Sequence, residues 1–359
     1  MTGPPSGHLN ELVGPPTTAG VRLADQTTLR VGGPARRFVE VTSTPELVDT
    51  VRALDAAGEP LLVLGGGSNL LVGDDGFDGT VVKVATRGIA DDVASCSGAV
   101  LTVAAGEPWD PLVALTVERG FSGLEALSGI PGSMGATPVQ NVGAYGSEVG
   151  QFVTTVRTLD RTTGAIRTFF AVECGFGYRT SVFKAEPGRY VVLEVTLQLR
   201  LGSLSAPVRY AELARTLGVE VGARVPATEV RAAVLALRAG KGMVLDDADP
   251  DTWSAGSFFT NPLVDPAVAD TLPVGAPRFP QPDGTVKTSA AWLIEHAGFG
   301  RGFGGGPARL STKHTLALTN RGGARAEDLL ALARTVRAGV ADTFGITLVP
   351  EPVLVGCTL

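Results

Sequence analysis

"PLLVLGGGSNLLV", residues 60–72, is the stretch on which the fold turns. An apolar run enters a turn of three glycines, Ser68 and Asn69, and a second apolar run leaves it. A doubly wound dinucleotide site needs its glycines between a strand and a helix whose N-terminus meets the pyrophosphate. Here they join strand to strand, so that architecture does not fit. Two readings of the turn remain. It is a plain tight connection, or its successive backbone N–H groups form an anion-binding nest with Ser68 and Asn69 as added donors.

Working outward, "RRFVEV" (36–41) reads as a strand and "TPELVDTVRALDAAG" (44–58) as a helix. Thr44 is expected at its cap, Pro45 at its first position and Gly58 past its end, with Leu47, Val51 and Leu54 as the buried stripe. Strands follow at "TVVKVA" and "AVLTVAAG" (99–106), then a helix at "PWDPLVALTVERG" (108–120). "FVTTVRTLDRTTGAIRTFFA" is a hairpin turning at Thr163 and Gly164, and "RYVVLEVTLQLR" (189–200) a long strand. A partly helical crossover comes next, with Val230, Val234 and Leu237 on one helix face. The last third predicts strands near 256–260 and 314–319 and helices near 288–297 and 326–344, the latter lined by Leu329, Ala333, Val336, Val340 and Phe344. A domain boundary is expected near residue 240. The fold class is α+β.

Composition narrows the function classes. A chain of 359 residues holds two or three domains. Charged residues are 18% of it and the net charge is −6, which gives no electrostatic footprint for nucleic acid. Cys96, Cys174 and Cys357 are scattered, as are His8, His296 and His314, which predicts neither a disulfide framework nor a metal site and suits a reducing compartment. No signal-like start and no membrane-length apolar run occurs. A cytoplasmic monomer, not bound to membrane, is the expectation.

Two segments draw chemistry. Residues 123–146, "GLEALSGIPGSMGATPVQNVGAYG", carry one charge, Glu125, and their glycines at 129, 132, 135, 143 and 146 permit close backbone approach to a flat or phosphorylated ligand. Gln140 and Asn141 can read its polar edges. In "WSAGSFFTNP" (253–262), Ser257 has no histidine or lysine within the run. No G-x-S-x-G elbow or Walker A occurs; Ser181 and Lys184 match S-x-x-K without its partner motifs, and "HAGFGRGFGGG" (296–306) follows a helix and reads as a surface loop. Ser257 is therefore either a satisfied core hydroxyl or a proton donor to a strongly basic carbanion in a dry site. Arg179 in "FGYRTS" and Glu351 in "VPEPVLVG" are charges among apolar neighbours, each expected to be buried with a partner. An arginine, a carboxyl and a hydroxyl together can stabilise and protonate an enolate.

"LGGGSN", "GIPGSMGATPVQNVGAYG", "FGYRTSVFK", "GSFFTNP", "AAWLIEHAG" and "PEPVLVG" occur in an order and spacing that resembles the UDP-N-acetylenolpyruvoylglucosamine reductases, or UDP-N-acetylmuramate dehydrogenases, over nearly everything after residue 20. The resemblance implies a two-part FAD-binding domain of the vanillyl-alcohol-oxidase type plus a C-terminal α/β substrate domain. The divisions it implies are a flexible leader (1–20), FAD-binding subdomains at 21–86 and 87–203, a crossover with a substrate loop (204–240), and a substrate domain (241–359) whose last strand returns to the active site.

By the same resemblance, Gly65, Gly66, Gly67, Ser68 and Asn69 cradle the FAD pyrophosphate. Ile130, Pro131, Gly132, Gln140, Asn141, Gly143 and Ala144 line the flavin, and Tyr178 and Arg238 also contact the cofactor. Tyr145, Tyr210, Lys241 and Asn261 hold the substrate, Tyr210 on a loop that only one version of the family has. Thr260 stands where many members carry lysine. FAD is expected to be bound non-covalently, with NADPH as co-substrate and UDP-N-acetylglucosamine enolpyruvate as substrate. Arg179 and Glu351, the latter protonated, would stabilise the enol carboxylate, and Ser257 would protonate the carbon alpha to it. Two rivals stand beside this reading: an FAD-dependent oxidase on the same scaffold, and a nucleotide-sugar-binding protein without chemistry.

Overall fold

Four consecutive buried residues, Gly79 to Val82, sit in the strand Phe77–Val84. A strand covered on both faces belongs in the middle of a sheet. In the computed structural model, which describes residues 17–96 and 98–359, it does lie there: the order is Thr17–Thr18, Ala35–Val41, Phe77–Val84, Leu61–Leu64. Phe77–Val84 runs parallel to both neighbours, and parallel strands require a crossover. The helix Thr44–Ala56 supplies it, burying Leu47, Val48 and Val51. Ser43, not Thr44, caps this helix, its hydroxyl accepting from the Glu46 N–H at 3.4 Å; Thr44 and Pro45 are its first two residues. Residues 1–16, most of the expected leader, lie outside the described residues.

The second sheet is antiparallel, ordered Ala165–Phe170, Val153–Asp160, Tyr190–Leu201, Gly98–Ala104, Ile89–Ala94. The hairpin and the long central strand are as the sequence predicts. Ile89–Ala94 was not expected: this edge strand is largely exposed, and Asp91 and Asp92 give it the look of a loop. The two sheets share one core, in which Val41 and Val82 of the first and Leu47 of its helix meet Leu101, Val156 and Val195 of the second. The helices Ala211–Leu217 and Ala227–Gly240 form a small satellite core with Val208, Leu213, Val230 and Val234 buried.

The last third builds its own core around Phe258, Phe259, Leu293, Leu318, Leu329 and Val336. Its long helix, Ala326–Phe344, ends at Gly345 in the left-handed region, φ 69°, a conformation that suits glycine. Two strand expectations need correction. Residues 256–260 form no strand: Gly256 turns the chain with φ 72°, and the segment makes only an isolated bridge, Phe259 to Pro350. Of 314–319, only Leu318 and Thr319 are strand, within Leu318–Asn320 paired with Ala308–Leu310, because a turn closed by Ala317 N–H on the His314 carbonyl precedes it. The final strand, Val353–Val355, runs parallel to Leu70–Val72, the strand that leaves the glycine turn. That pairing brings Glu351 to the turn. Among the described residues no helix is long and apolar enough to cross a membrane.

Candidate active site

The glycine turn is shaped by what presses on it. A Cβ on Gly66 would lie 2.5 Å from the Gly132 Cα, and one on Gly67 1.9 Å from the Gln26 carbonyl oxygen. Gly67 also has φ +65°, so the turn tolerates no side chain at these positions. Ser68 donates to the Pro131 carbonyl at 3.0 Å, clamping the turn to the loop that follows Ile130. Gly67→Ala is expected to destabilise the chain by about 1–3 kcal/mol or more through backbone strain, read as a lowered thermal midpoint; an unchanged midpoint would contradict this packing.

Asn69 connects the turn to the acid group. Its Nδ2 donates to Gln140 Oε1 at 3.0 Å and to the Glu351 carbonyl at 3.3 Å, and Gln140 Nε2 donates to Glu351 Oε1 at 3.3 Å. Arg179 Nε lies 3.0 Å from the same Oε1, an ion pair whose N–H is not aligned for a hydrogen bond, and Nη2 donates to the Gly143 carbonyl at 2.9 Å. Burial pushes the Glu351 carboxyl above the ordinary carboxylate range, while Arg179 and Lys184 pull it back. Arg179 has φ 54°, Tyr145 φ 50° and Asn141 φ 47°. These are three of the four non-glycine residues with positive φ among the described residues, and strain of that kind collects at working sites.

Asn141, expected to line the flavin, also has a task within the chain. Its side chain donates to Glu148 at 2.8 Å and to the Gly177 carbonyl at 3.1 Å, and accepts from the Gly150 N–H at 2.9 Å. It ties the 141–150 loop to the Arg179 segment. Gly143 and Ala144 pair with Glu148 and Ser147 in a short hairpin, and Tyr145 follows at its tip. The Tyr145 ring meets that of Tyr210 edge-on at 5.7 Å, and Lys241 Nζ lies 5.8 Å from the Tyr145 ring centre. Burial pushes the Tyr145 hydroxyl up to about 12, so it is a neutral donor at neutral pH. Tyr178 accepts from the Asn261 N–H at 3.3 Å, and Asn261 Oδ1 accepts from the Ala290 N–H. Thr260 is half-buried and donates to the Val349 carbonyl at 3.4 Å.

Ser257 lies beside Phe258, whose carbonyl accepts from the Glu351 N–H at 2.8 Å. Backbone pairing thus links the hydroxyl-bearing segment to the carboxyl-bearing one. The sequence showed no histidine near Ser257; the fold places one there, with His314 Nε2 at 3.5 Å from Oγ. Sequence reading missed two further partners. Lys184, set aside as half of an acyl-transfer motif, donates to the Arg179 carbonyl at 2.9 Å and so braces that residue's left-handed backbone. Glu212 pairs with Lys241 at 2.6 Å. Lys184's spacing of five from Arg179 in an apolar stretch was the available signal; Glu212 had none.

The donor set suits a large anionic cofactor. Arg238 is buried, its Nη2 donates to the Met243 carbonyl, and its Nε has no partner; Ser147 Oγ and Trp253 Nε1 are likewise buried and unpartnered. A buried donor left in that state costs on the order of 1–3 kcal/mol unless a ligand meets it. A cavity of about 840 Å³ opens beside Gly66, Gln26, Thr28, Lys83 and Trp253, of a size usual for ligand sites. It does not extend to Arg179, Ser257 or Glu351. Among the described residues no three His, Cys, Asp or Glu side chains are grouped to hold a metal.

Comparison with known proteins places the chain among relatives. Residues 35–169 match the family described as FAD binding domain, and residues 249–355 the one described as UDP-N-acetylenolpyruvoylglucosamine reductase, C-terminal domain. The UDP-N-acetylenolpyruvoylglucosamine reductase of Cutibacterium acnes is 64% identical over 342 residues, 94% of this chain and 90% of that one. That of Thermobifida fusca is 58% identical over 349 residues, 94% of this chain and 98% of that one. The crystal structure of the Thermus caldophilus UDP-N-acetylenolpyruvylglucosamine reductase superposes with a TM-score of 0.65 at 29% identity, covering 93% of this chain and 97% of that one.

Proposed function

The chain belongs to the UDP-N-acetylenolpyruvoylglucosamine reductase family, and from that footing we propose that it reduces UDP-N-acetylglucosamine enolpyruvate to UDP-N-acetylmuramate, with FAD bound and NADPH as the hydride source. One observation carries the reading on this chain's own residues: the half-buried Arg179–Glu351 pair, presented to the glycine turn by Asn69 and Gln140. When bound, FAD supplies the hydride acceptor and donor that links NADPH to the vinyl carbon. Gly65 to Asn69 would hold its pyrophosphate, with Arg238 and Tyr178 as further contacts. Residues 21–203 would carry the cofactor, 204–240 the tyrosine loop and 241–359 most of the substrate site.

The protein's part is charge and proton placement. Arg179 and a protonated Glu351 would meet the substrate carboxylate as negative charge grows on it; an ionised Glu351 would repel that charge. Ser257 would deliver a proton to the carbon alpha to the carboxylate. Preorganised donors of this kind are commonly the largest catalytic contribution. An oxidase passing electrons to oxygen has no use for the Ser257 hydroxyl or for a carboxyl raised by burial.

Lys241, Tyr210, Tyr145 and Asn261 would hold the substrate's nucleotide diphosphate and sugar. Lys241→Met is expected to raise KM for the enolpyruvyl substrate about 10- to 150-fold, the loss of one charged hydrogen bond, and to leave bleaching by NADPH unchanged. Equal loss in both half-reactions would count against this placement. The reading as a whole is tested by colour. A yellow preparation should bleach anaerobically with NADPH and regain colour faster with UDP-N-acetylglucosamine enolpyruvate than with oxygen. Faster recovery with oxygen favours the oxidase, and a colourless preparation that binds the nucleotide sugar favours a binding protein.

A further inference from the structure

We propose that His314 is a positioning residue for Ser257, donating from Nε2–H to the hydroxyl oxygen so that the hydroxyl's own proton points to the substrate carbon. The inference rests on the functional reading above and adds to it a residue from a distant loop. The separation of 3.5 Å is at the outer limit for a hydrogen bond, and such contacts commonly tighten when substrate binds.

The turn that carries His314 is built for placement. Ser311 Oγ accepts from the N–H groups of Lys313 and His314 at 3.0 and 3.2 Å. Thr312 donates its N–H and its hydroxyl to the buried Asp251 at 2.8 and 2.6 Å, and Arg321 holds that carboxylate at 2.8 Å. Thr315 donates to Glu295, and Lys313 pairs with Asp249. Two residues past His314, the Leu316 carbonyl accepts from the Phe258 N–H at 2.8 Å, which locks the turn to the residue beside Ser257. A ring needed only to fill space would not require so many polar anchors on both sides.

Burial and the charges of Lys241 and Arg301 push His314 down to about 4, with Glu295 opposing them. The imidazole is therefore neutral at physiological pH and carries one N–H. With that hydrogen on Nε2 it donates to Ser257 Oγ and leaves the Oγ–H free to face the substrate; with it on Nδ1 the hydroxyl would be turned toward the ring instead. In the protonation step the Ser257 O–H bond breaks and a C–H bond forms at the carbon alpha to the carboxylate. The electron pair stays on Oγ, where Nε2–H meets it. The imidazole neither gains nor loses a proton, and the hydroxyl is restored by water as product leaves.

The test uses the flavin-loaded full-length protein, mixed anaerobically in two stages. His314→Ala is expected to slow reoxidation by UDP-N-acetylglucosamine enolpyruvate about 10²- to 10³-fold, the usual cost of one lost donor to a developing oxyanion. Reduction by NADPH and the substrate dissociation constant should not change. His314→Gln, whose amide nitrogen reaches about as far as Nε2, should recover most of the rate, and His314→Ala should add little in a Ser257→Ala background. The proposal is overturned by equal slowing of both half-reactions, by weaker substrate binding at an unchanged rate, or by losses that multiply with Ser257→Ala. A wild-type protein that the substrate cannot reoxidise would instead remove the functional reading itself, and this proposal with it.

Discussion

Ser257→Ala should bleach with NADPH at the wild-type rate and then reoxidise with UDP-N-acetylglucosamine enolpyruvate about 10²- to 10⁴-fold more slowly. The asymmetry follows from where the hydroxyl acts. Hydride transfer from NADPH creates no carbanion next to a carboxylate, so it has no use for a proton at Oγ. Only the second half-reaction does. Losing the hydroxyl should cost little stability, since Oγ makes a single long contact, to His314. Its segment is held instead by Phe258 and Phe259 in the core and by backbone bonds to Leu316, Val349 and Glu351. Slowing of both stages, or of neither, would mean that Ser257 is a core hydroxyl.

Glu351→Ala should lose about 10²- to 10³-fold in the same second stage, as a removed donor to a developing anion does, and Glu351→Gln should lose less. The pH dependence separates the two roles of the carboxyl. Its folded-state pKa is raised, by burial first and against the pull of Arg179 and Lys184. The acidic form therefore persists to higher pH than in an ordinary glutamate, and the rate should fall as pH rises through that raised value. Glu351→Gln cannot ionise, so its rate should show no such limb. Stability follows the same sign: a raised folded pKa contributes stability that is fully present below the unfolded value of about 4.3 and is lost as pH rises through the folded one. Above that window Glu351→Gln should be no less stable than wild type, read from thermal midpoints across pH. A pH profile identical for the glutamate and glutamine forms would contradict a protonated Glu351.

Much of the fold could be read from local pattern. The strand–glycine–strand reading of residues 60–72 holds, as do the hairpin over Val153–Phe170, the strand Tyr190–Leu201 and the helix Ala326–Phe344, because each has strong periodicity and an unambiguous turn or cap. The errors have local causes. Ser43 and Thr44 both offer a hydroxyl, and proline is accepted at either of the first two helical positions, so the cap was placed one residue late. Ile89–Ala94 is an exposed edge strand held by its neighbour Gly98–Ala104, information absent from its own residues.

The site divides in a similar way. Arg179 and Glu351 stood out as charges among apolar residues, and the structure pairs them. His314 did not stand out, because its meaning lies in a contact across 57 positions of sequence. Tyr178 and Arg238 came from family resemblance alone. Arg238 shows its interest only in three dimensions, as a buried guanidinium whose Nε lacks a partner.

The most direct measurement of the central claim is where solvent hydrogen enters the product. Single turnover of the NADPH-reduced protein with UDP-N-acetylglucosamine enolpyruvate in deuterated water, read by NMR, should place one solvent deuteron on the carbon bearing the carboxylate, in a single configuration. A hydrogen from NADPH at that carbon, or a mixture of configurations, would contradict a proton delivered from one fixed hydroxyl beside Arg179 and Glu351.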